Sequence, residues 1–455
     1  MANTYLTRTP SSTGNRQIFT FSAWVKRSKV STVYNTLFYA GANSGTSGTI
    51  AFRFTNNYNL NVYIQDINQL ITTNRVFRDT SAWYHIVLAI DTTQATPDDR
   101  RKLYINGVQE TSFSTSTEVN RNLNLSVNTS GQLQRIGTYS DSGGSLGGYF
   151  DGSMSHVHLI DGTAYDATAF GEFDANGVWK IKTSPSVTYG TNGFFILKDG
   201  NSVTDQSGNG NNWTVGGGTL TNTEDNPSNV FATWNSNLAM NSTMTLANSN
   251  TTGTTGSNYA SGASNSWFST IGVSSGKWYA EFKESAATNS QGQILGVGYD
   301  LSKHQQGSAV DAYNLAYIAE GWGYLGAEGR VVNNNNTVIT GLSTWNIGDT
   351  ICIALDMDNH KLYFRKNGGS WENSGDPTSG STGTGAISLT TGETYFFSCS
   401  DNSMSNTYTF QANFGNGFFG TTAVASAGTN ASGIGIFEYD VPTGFTALST
   451  KGLNL

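Results

Sequence analysis

The feature that most constrains this chain is a two-strand signature that occurs twice. In the first half it reads Trp83-Tyr-His-Ile-Val-Leu-Ala-Ile-Asp91, followed by Lys102-Leu-Tyr-Ile-Asn-Gly107. In the second half it reads Gly348-Asp-Thr-Ile-Cys-Ile-Ala-Leu-Asp356, followed by Lys361-Leu-Tyr-Phe-Arg-Lys-Asn-Gly368. Each copy predicts two neighbouring antiparallel strands, the second ending on Asn-Gly. That dipeptide is a strong hairpin signal because both residues tolerate φ > 0. Two copies so far apart predict two β-sandwiches in tandem.

The rest of the chain agrees with an all-β reading. Runs such as Ile18–Lys26, Ile50–Thr55, Leu60–Ile64, Arg135–Gly137 and Met154–Ile160 recur at short spacing between turn residues. Such spacing is the sequence form of a sandwich or jelly roll. Helical periodicity is nearly absent; residues 166–173 allow one short helical turn. The fold class expected is two tandem antiparallel β-sandwich (jelly-roll) domains. Domain 1 takes residues 1–190, a joining segment 191–226, domain 2 residues 227–425, and a C-terminal docking tail 426–455. The Ser/Thr/Gly/Asn-rich stretch 248–265 reads as an exposed loop.

Charge narrows the function classes. A net charge of −8 and a pI near 5.1 argue against nucleic-acid partners and anionic membranes, both of which need a basic patch. No apolar run approaches the roughly 20 residues of a membrane span, so no membrane insertion is expected. The start Met1-Ala-Asn-Thr-Tyr5 lacks the basic and apolar regions of an export signal, so synthesis in a cytoplasm is expected. Cys352 and Cys399 fall in predicted strands. Buried free thiols are the expectation, with a disulfide as the alternative.

Candidate chemistry is sparse. Glu172 and Asp174, and likewise Asp356 and Asp358, alternate on a strand as paired catalytic carboxyls would. Both pairs read better as turn-capping acids. His156 and His158 alternate in the same way, with no third metal ligand nearby. No nucleophile elbow or phosphate-binding loop occurs. The chain is therefore expected not to be an enzyme.

The motifs Phe19-Thr-Phe-Ser-Ala-Trp-Val-Lys26, Trp83-Tyr-His-Ile-Val87, Leu103-Tyr-Ile-Asn-Gly107 and Tyr149-Phe-Asp-Gly-Ser-Met-Ser-His156 resemble the laminin-G/concanavalin-A-like jelly roll. Gly276-Lys-Trp-Tyr-Ala-Glu-Phe-Lys283, Leu295-Gly-Val-Gly-Tyr299, the second copy of the signature and Thr409-Phe-Gln-Ala-Asn-Phe-Gly415 resemble the SPRY (B30.2-like) sandwich. The pair of modules resembles structural proteins of tailed, marine-type phages. That resemblance implies a non-enzymatic virion protein, a tail fibre or tail-associated adhesin that binds a host-surface glycan or protein. Its alternatives are a capsid decoration protein and a polysaccharide depolymerase. It implies other virion proteins as partners, a homo-oligomer such as a trimer, and a place on the tail or capsid surface. Exposed aromatics on loops suit sugar recognition, which nominates Tyr58 and Tyr139 in domain 1 and Trp322, Tyr324 and Trp371 in domain 2. No cofactor is required on this reading. Calcium is the cation such domains hold in rim loops, with Asp141 and Asp151 as its ligands here.

Overall fold

Both Asn-Gly turns adopt the left-handed backbone their sequence favours. Asn106 and Gly107 have φ of 48° and 81°, and Asn367 and Gly368 have 50° and 66°. The strands of each signature are neighbours: Trp83–Asp91 pairs antiparallel with Arg101–Ile105, and Thr350–Asp356 with Lys361–Lys366. The structure is a computed structural model and describes residues 3–29, 33–67, 70–198, 202–238, 244–256, 266–289, 291–305, 314–402 and 406–454. It forms two units, Met1–Asn222 and Thr223–Leu455. Each is built almost wholly from antiparallel sheets. No helix among the described residues is long and apolar enough to cross a membrane.

In the first unit an eight-stranded sheet runs, in spatial order, Phe113–Ser116, Ile71–Val76, Asn59–Ile64, Ile50–Phe54, Asn35–Ala40, Gln134–Ile136, Tyr5–Arg8 and Thr214–Gly217. A six-stranded sheet, centred on Ile18–Arg27 between Gly152–Asp161 and Trp83–Asp91, closes the core from the other side. Alternation sends one face of each sheet inward. Phe21 from one sheet stacks on Phe38 from the other at 5.1 Å between ring centroids.

The segment 191–226, read from sequence as a joint, belongs mostly to this unit. Phe194–Ile196 adds an edge strand to the six-stranded sheet, and Thr214–Gly217 pairs with Tyr5–Arg8. Trp213 is buried against Phe194, 4.9 Å between centroids. Asp205 shapes the turn between them, accepting the backbone N–H groups of Phe195, Ser207 and Asn211 at 2.8–2.9 Å.

The second unit repeats the plan with a second eight-stranded and a second six-stranded sheet. Phe282 of the larger sheet meets Phe397 of the smaller at 5.9 Å. Lys277–Ala287 buries Trp278, Ala280 and Phe282 in this core, and its alternate residue Tyr279 lies in a separate apolar cluster. That cluster is completed by Phe437, Val441 and Phe445, so the tail 426–455 is part of the second unit. Thr446–Ala447 even pairs in parallel with Trp278 and Tyr279. The loop expected at 248–265 is partly a strand: Thr252–Thr254 pairs with Tyr408–Asn413, while 257–265 lie outside the described residues.

Candidate functional site

The outward face of the first unit's larger sheet carries a polar pocket. Cross-strand register aligns Thr36, Arg53, Asn61, Thr72 and Thr115 on five successive strands. Arg53 points away from the core because Phe52 and Phe54 on either side point into it. Beside this row lies a pocket of about 200 Å³ lined by Tyr34, Thr55, Asn56, Asn57, Asn59, Asn61, Thr72, Ser114 and Thr115. None of these side chains is charged; amides and hydroxyls make up its rim.

The pocket is firmly built. Asn61 is buried and donates to the Ile71 carbonyl at 3.1 Å and to Thr72 Oγ1 at 3.0 Å, while its oxygen accepts from Arg53 Nε at 3.2 Å. Asn59 donates to the Thr73 carbonyl at 2.9 Å. The Arg53 guanidinium lies 3.8 Å from the Tyr34 ring centroid and 5.1 Å from that of Tyr63, with Tyr139 at 5.9 Å. Such stacking fixes a planar cation in place.

The residues expected from sequence scatter. Tyr139 reaches the pocket's edge, its ring edge-on to Tyr34 at 6.5 Å. Tyr58 sits in the turn Thr55–Asn59 beside the pocket, at φ 70°, with Arg78 4.8 Å over its ring. Trp322 and Tyr324 are core residues, 6% and 0% exposed, and present no face to a ligand. Their Gly-rich surroundings are a strand, Gly321–Leu325, in which glycine permits close layers. A Cβ on Gly321 would meet the Leu315 carbonyl at 2.2 Å, and one on Gly296 the Trp322 carbonyl at 1.9 Å. Trp371 is half-buried, with the Arg365 guanidinium 4.7 Å over its ring.

Asp141 and Asp151 are both engaged. Asp141 caps its own hairpin turn by accepting from Gly143 and Ser145 N–H at 2.9 and 2.8 Å, and Asp151 pairs with Lys29 at 3.5 Å. Among the described residues no three His, Cys, Asp or Glu side chains converge on a metal-sized site. Cys352 and Cys399 are buried free thiols.

Sequence reasoning passed over one pair that invites a hydrolytic reading. His85 Nε2 and Ser22 Oγ lie 2.9 Å apart, both fully buried. The Trp179 indole N–H donates to His85 Nδ1 at 3.0 Å, so the ring proton sits on Nε2 and points at Ser22. The imidazole therefore donates to the hydroxyl and cannot take its proton. Burial lowers the His85 pKa to about 3, which keeps the ring neutral. His158 is likewise neutral, buried against Phe195 at 4.0 Å and bonded to the Tyr189 hydroxyl. The acid pairs are structural too. Asp174 and Glu172 face Lys180 and Lys182, Asp356 holds Lys277 at 3.1 Å, and Asp358 accepts the Gly276 N–H at 2.7 Å.

The pocket residues Arg53, Asn59 and Asn61 escaped the sequence reading. The signal was present: alternation in Ile50–Phe54 and Asn59–Ile64 puts Arg53, Asn59, Asn61 and Tyr63 on one outward face.

Comparison with known proteins agrees with the two-unit architecture. Residues 2–168 match the family described as the concanavalin A-like lectin/glucanases superfamily, and residues 277–379 match the SPRY domain. The chain thus carries a concanavalin-A-like domain followed by a SPRY domain. No curated protein matches it. Among solved structures, the SPRY domain of human HERC1 is 19% identical, over 36% of this chain and 87% of that one, with a TM-score of 0.25. A heptameric SAP-like pentraxin from Limulus polyphemus is 15% identical over 36% and 71%, with a TM-score of 0.27. The TRIM65 PSpry domain is 11% identical over 40% and 91%, with a TM-score of 0.28.

Proposed function

We propose that this chain is a non-enzymatic adhesin whose concanavalin-A-like unit binds a glycan in the pocket beside Arg53. The observation that carries this reading is the pocket itself: nine uncharged residues, mostly amides and hydroxyls, on a rigid sheet with the Tyr34 ring in its wall. Sugar hydroxyls are matched by such groups, and sugar faces by aromatic rings. A shallow site of this size binds weakly alone. Copies held together in an oligomer add through effective concentration to a firm hold. Calcium has no part in this reading.

The wider proposal follows the sequence resemblance: a virion protein of a tailed phage, carried at the tail and assembled with other virion proteins. Two experiments separate its parts. Glycan-array screening of the purified chain should give binding that Tyr34→Ala and Asn61→Ala remove. An array without signal overturns the glycan reading, and loss of polymer viscosity on incubation overturns the non-enzymatic one. Immunogold electron microscopy of the parent particle should label the tail. Label over the capsid replaces the adhesin with a decoration protein, and absence of label from any particle removes the virion role.

A further inference from the structure

The Arg53 guanidinium is a cation without a counter-charge. Its Nε is used by Asn61, and its two terminal nitrogens have no hydrogen-bond partner among the described residues. No carboxylate among the described residues forms an ion pair with it. The groups that act on its charge are the phenols of Tyr34, Tyr139 and Tyr63, and burial is the largest influence, lowering its pKa. Even so lowered, a guanidinium stays charged at any physiological pH. A half-buried charge costs free energy unless paired, yet the tyrosine rings stack on the Arg53 guanidinium and Asn61 takes only its Nε.

Resting on the glycan reading above, we infer that the pocket takes an acidic sugar and that the two terminal nitrogens of Arg53 grip its carboxylate. Three observations fix the class. With Nε occupied, what remains is the pair of parallel N–H groups that matches a planar carboxylate in a bidentate fork. The amide and hydroxyl rim formed by Asn57, Asn59, Thr72 and Ser114 suits the neutral hydroxyls of the same ring. The lining itself holds no lysine or arginine, and Arg53 lies next to it against the lining residues Asn61 and Tyr34, so a ligand with one charge per ring is satisfied and a densely sulfated or phosphorylated one is not. The net charge of −8 further disfavours dense polyanions. The ligand class is therefore a uronic-acid-type glycan.

The test uses the full chain and three probes: a defined hexauronate, the same oligosaccharide with its carboxyls reduced to alcohols, and dextran sulfate. Titration calorimetry should show hexauronate binding at least about ten-fold tighter than the reduced form. Arg53→Gln should erase that difference, and Arg53→Lys should restore little of it, because a point charge lacks the fork. Since Arg53 also packs on three tyrosines, Ser114→Asp supplies a variant with little folding risk. It places a negative charge on the exposed rim, and should weaken hexauronate by a similar factor while sparing the reduced form. Equal binding of reduced and native hexauronate overturns the carboxylate assignment and leaves the glycan reading standing. Dextran sulfate binding as tightly through Arg53 overturns it as well. Failure of every glycan class to bind removes both readings together.

Discussion

The Glu281 carboxylate holds Tyr439 across 158 residues of chain, accepting its backbone N–H at 2.8 Å through Oε1. The Tyr279 hydroxyl shares that oxygen at 3.1 Å. Oε2 takes the Glu438 N–H at 2.8 Å and Asn413 Nδ2 at 3.1 Å. A fully buried carboxylate thus fastens the C-terminal segment to the centre of the second unit's larger sheet. Glu281→Gln must turn an NH₂ toward one of these donor pairs. It should destabilise the second unit by about 2 kcal/mol and raise hydrogen exchange in 426–447. Unchanged exchange there would remove the fastening role.

The two units should respond to pH with opposite sign. Burial pushes the Glu281 pKa up to about 7, with its four donors opposing a larger rise. Burial and the nearby Asp349 push Glu284 up to about 8. These folded values exceed the ordinary 4.5, so the stability they contribute is full below that value and is lost as pH climbs through 7 and 8. In the first unit burial lowers His85 to about 3 and His158 well below 6.5, so that stability is present above 6.5 and lost as pH falls. Pulse proteolysis in urea should show the second unit weakening as pH rises from about 4.5 to about 8. The first should instead weaken as pH falls from 6.5 to about 4. Glu284→Gln should flatten the slope of the second unit; an unchanged slope would count against this assignment.

Core and surface tryptophans should separate. Trp322→Ala should cost about 3–5 kcal/mol, the range for a large buried aromatic. Trp371→Ala should cost about 1 kcal/mol, mostly its contact with Arg365. Denaturant midpoints of the two variants check this, and equal midpoints would contradict the burial described.

Asp205 should be the keystone of the segment 191–226. Asp205→Ala orphans three backbone N–H groups, and about 2 kcal/mol of loss in the first unit is expected. Protease sensitivity should rise between 191 and 217. Cleavage elsewhere at unchanged rate in 191–217 would overturn the assignment.

The strands and the two-sandwich plan were legible because alternation and Asn-Gly turns are local signals. Arg53, Asn59 and Asn61 were legible in principle, since one strand's alternation fixes their face, but the pocket exists only once five strands take their register. Trp322 misled because a Gly-rich run reads as a loop. In this fold the glycines let a central strand sit against its neighbours, a requirement that appears only when Leu315 and Ile294 are in place. The role of 191–226 was hidden for a related reason, since its strand partners lie far back in the chain.

Those distant pairings set a timetable. Tyr5–Arg8 waits for Thr214–Gly217, and the start of Lys277–Ala287 waits for Thr446–Ala447. At about 5–20 residues per second, roughly 200 residues of delay leave each nascent sheet with an unclaimed edge for on the order of ten to forty seconds. During that interval the hazard is another chain's strand, so the yield of folded protein should depend on translation speed and on how crowded the ribosomes are.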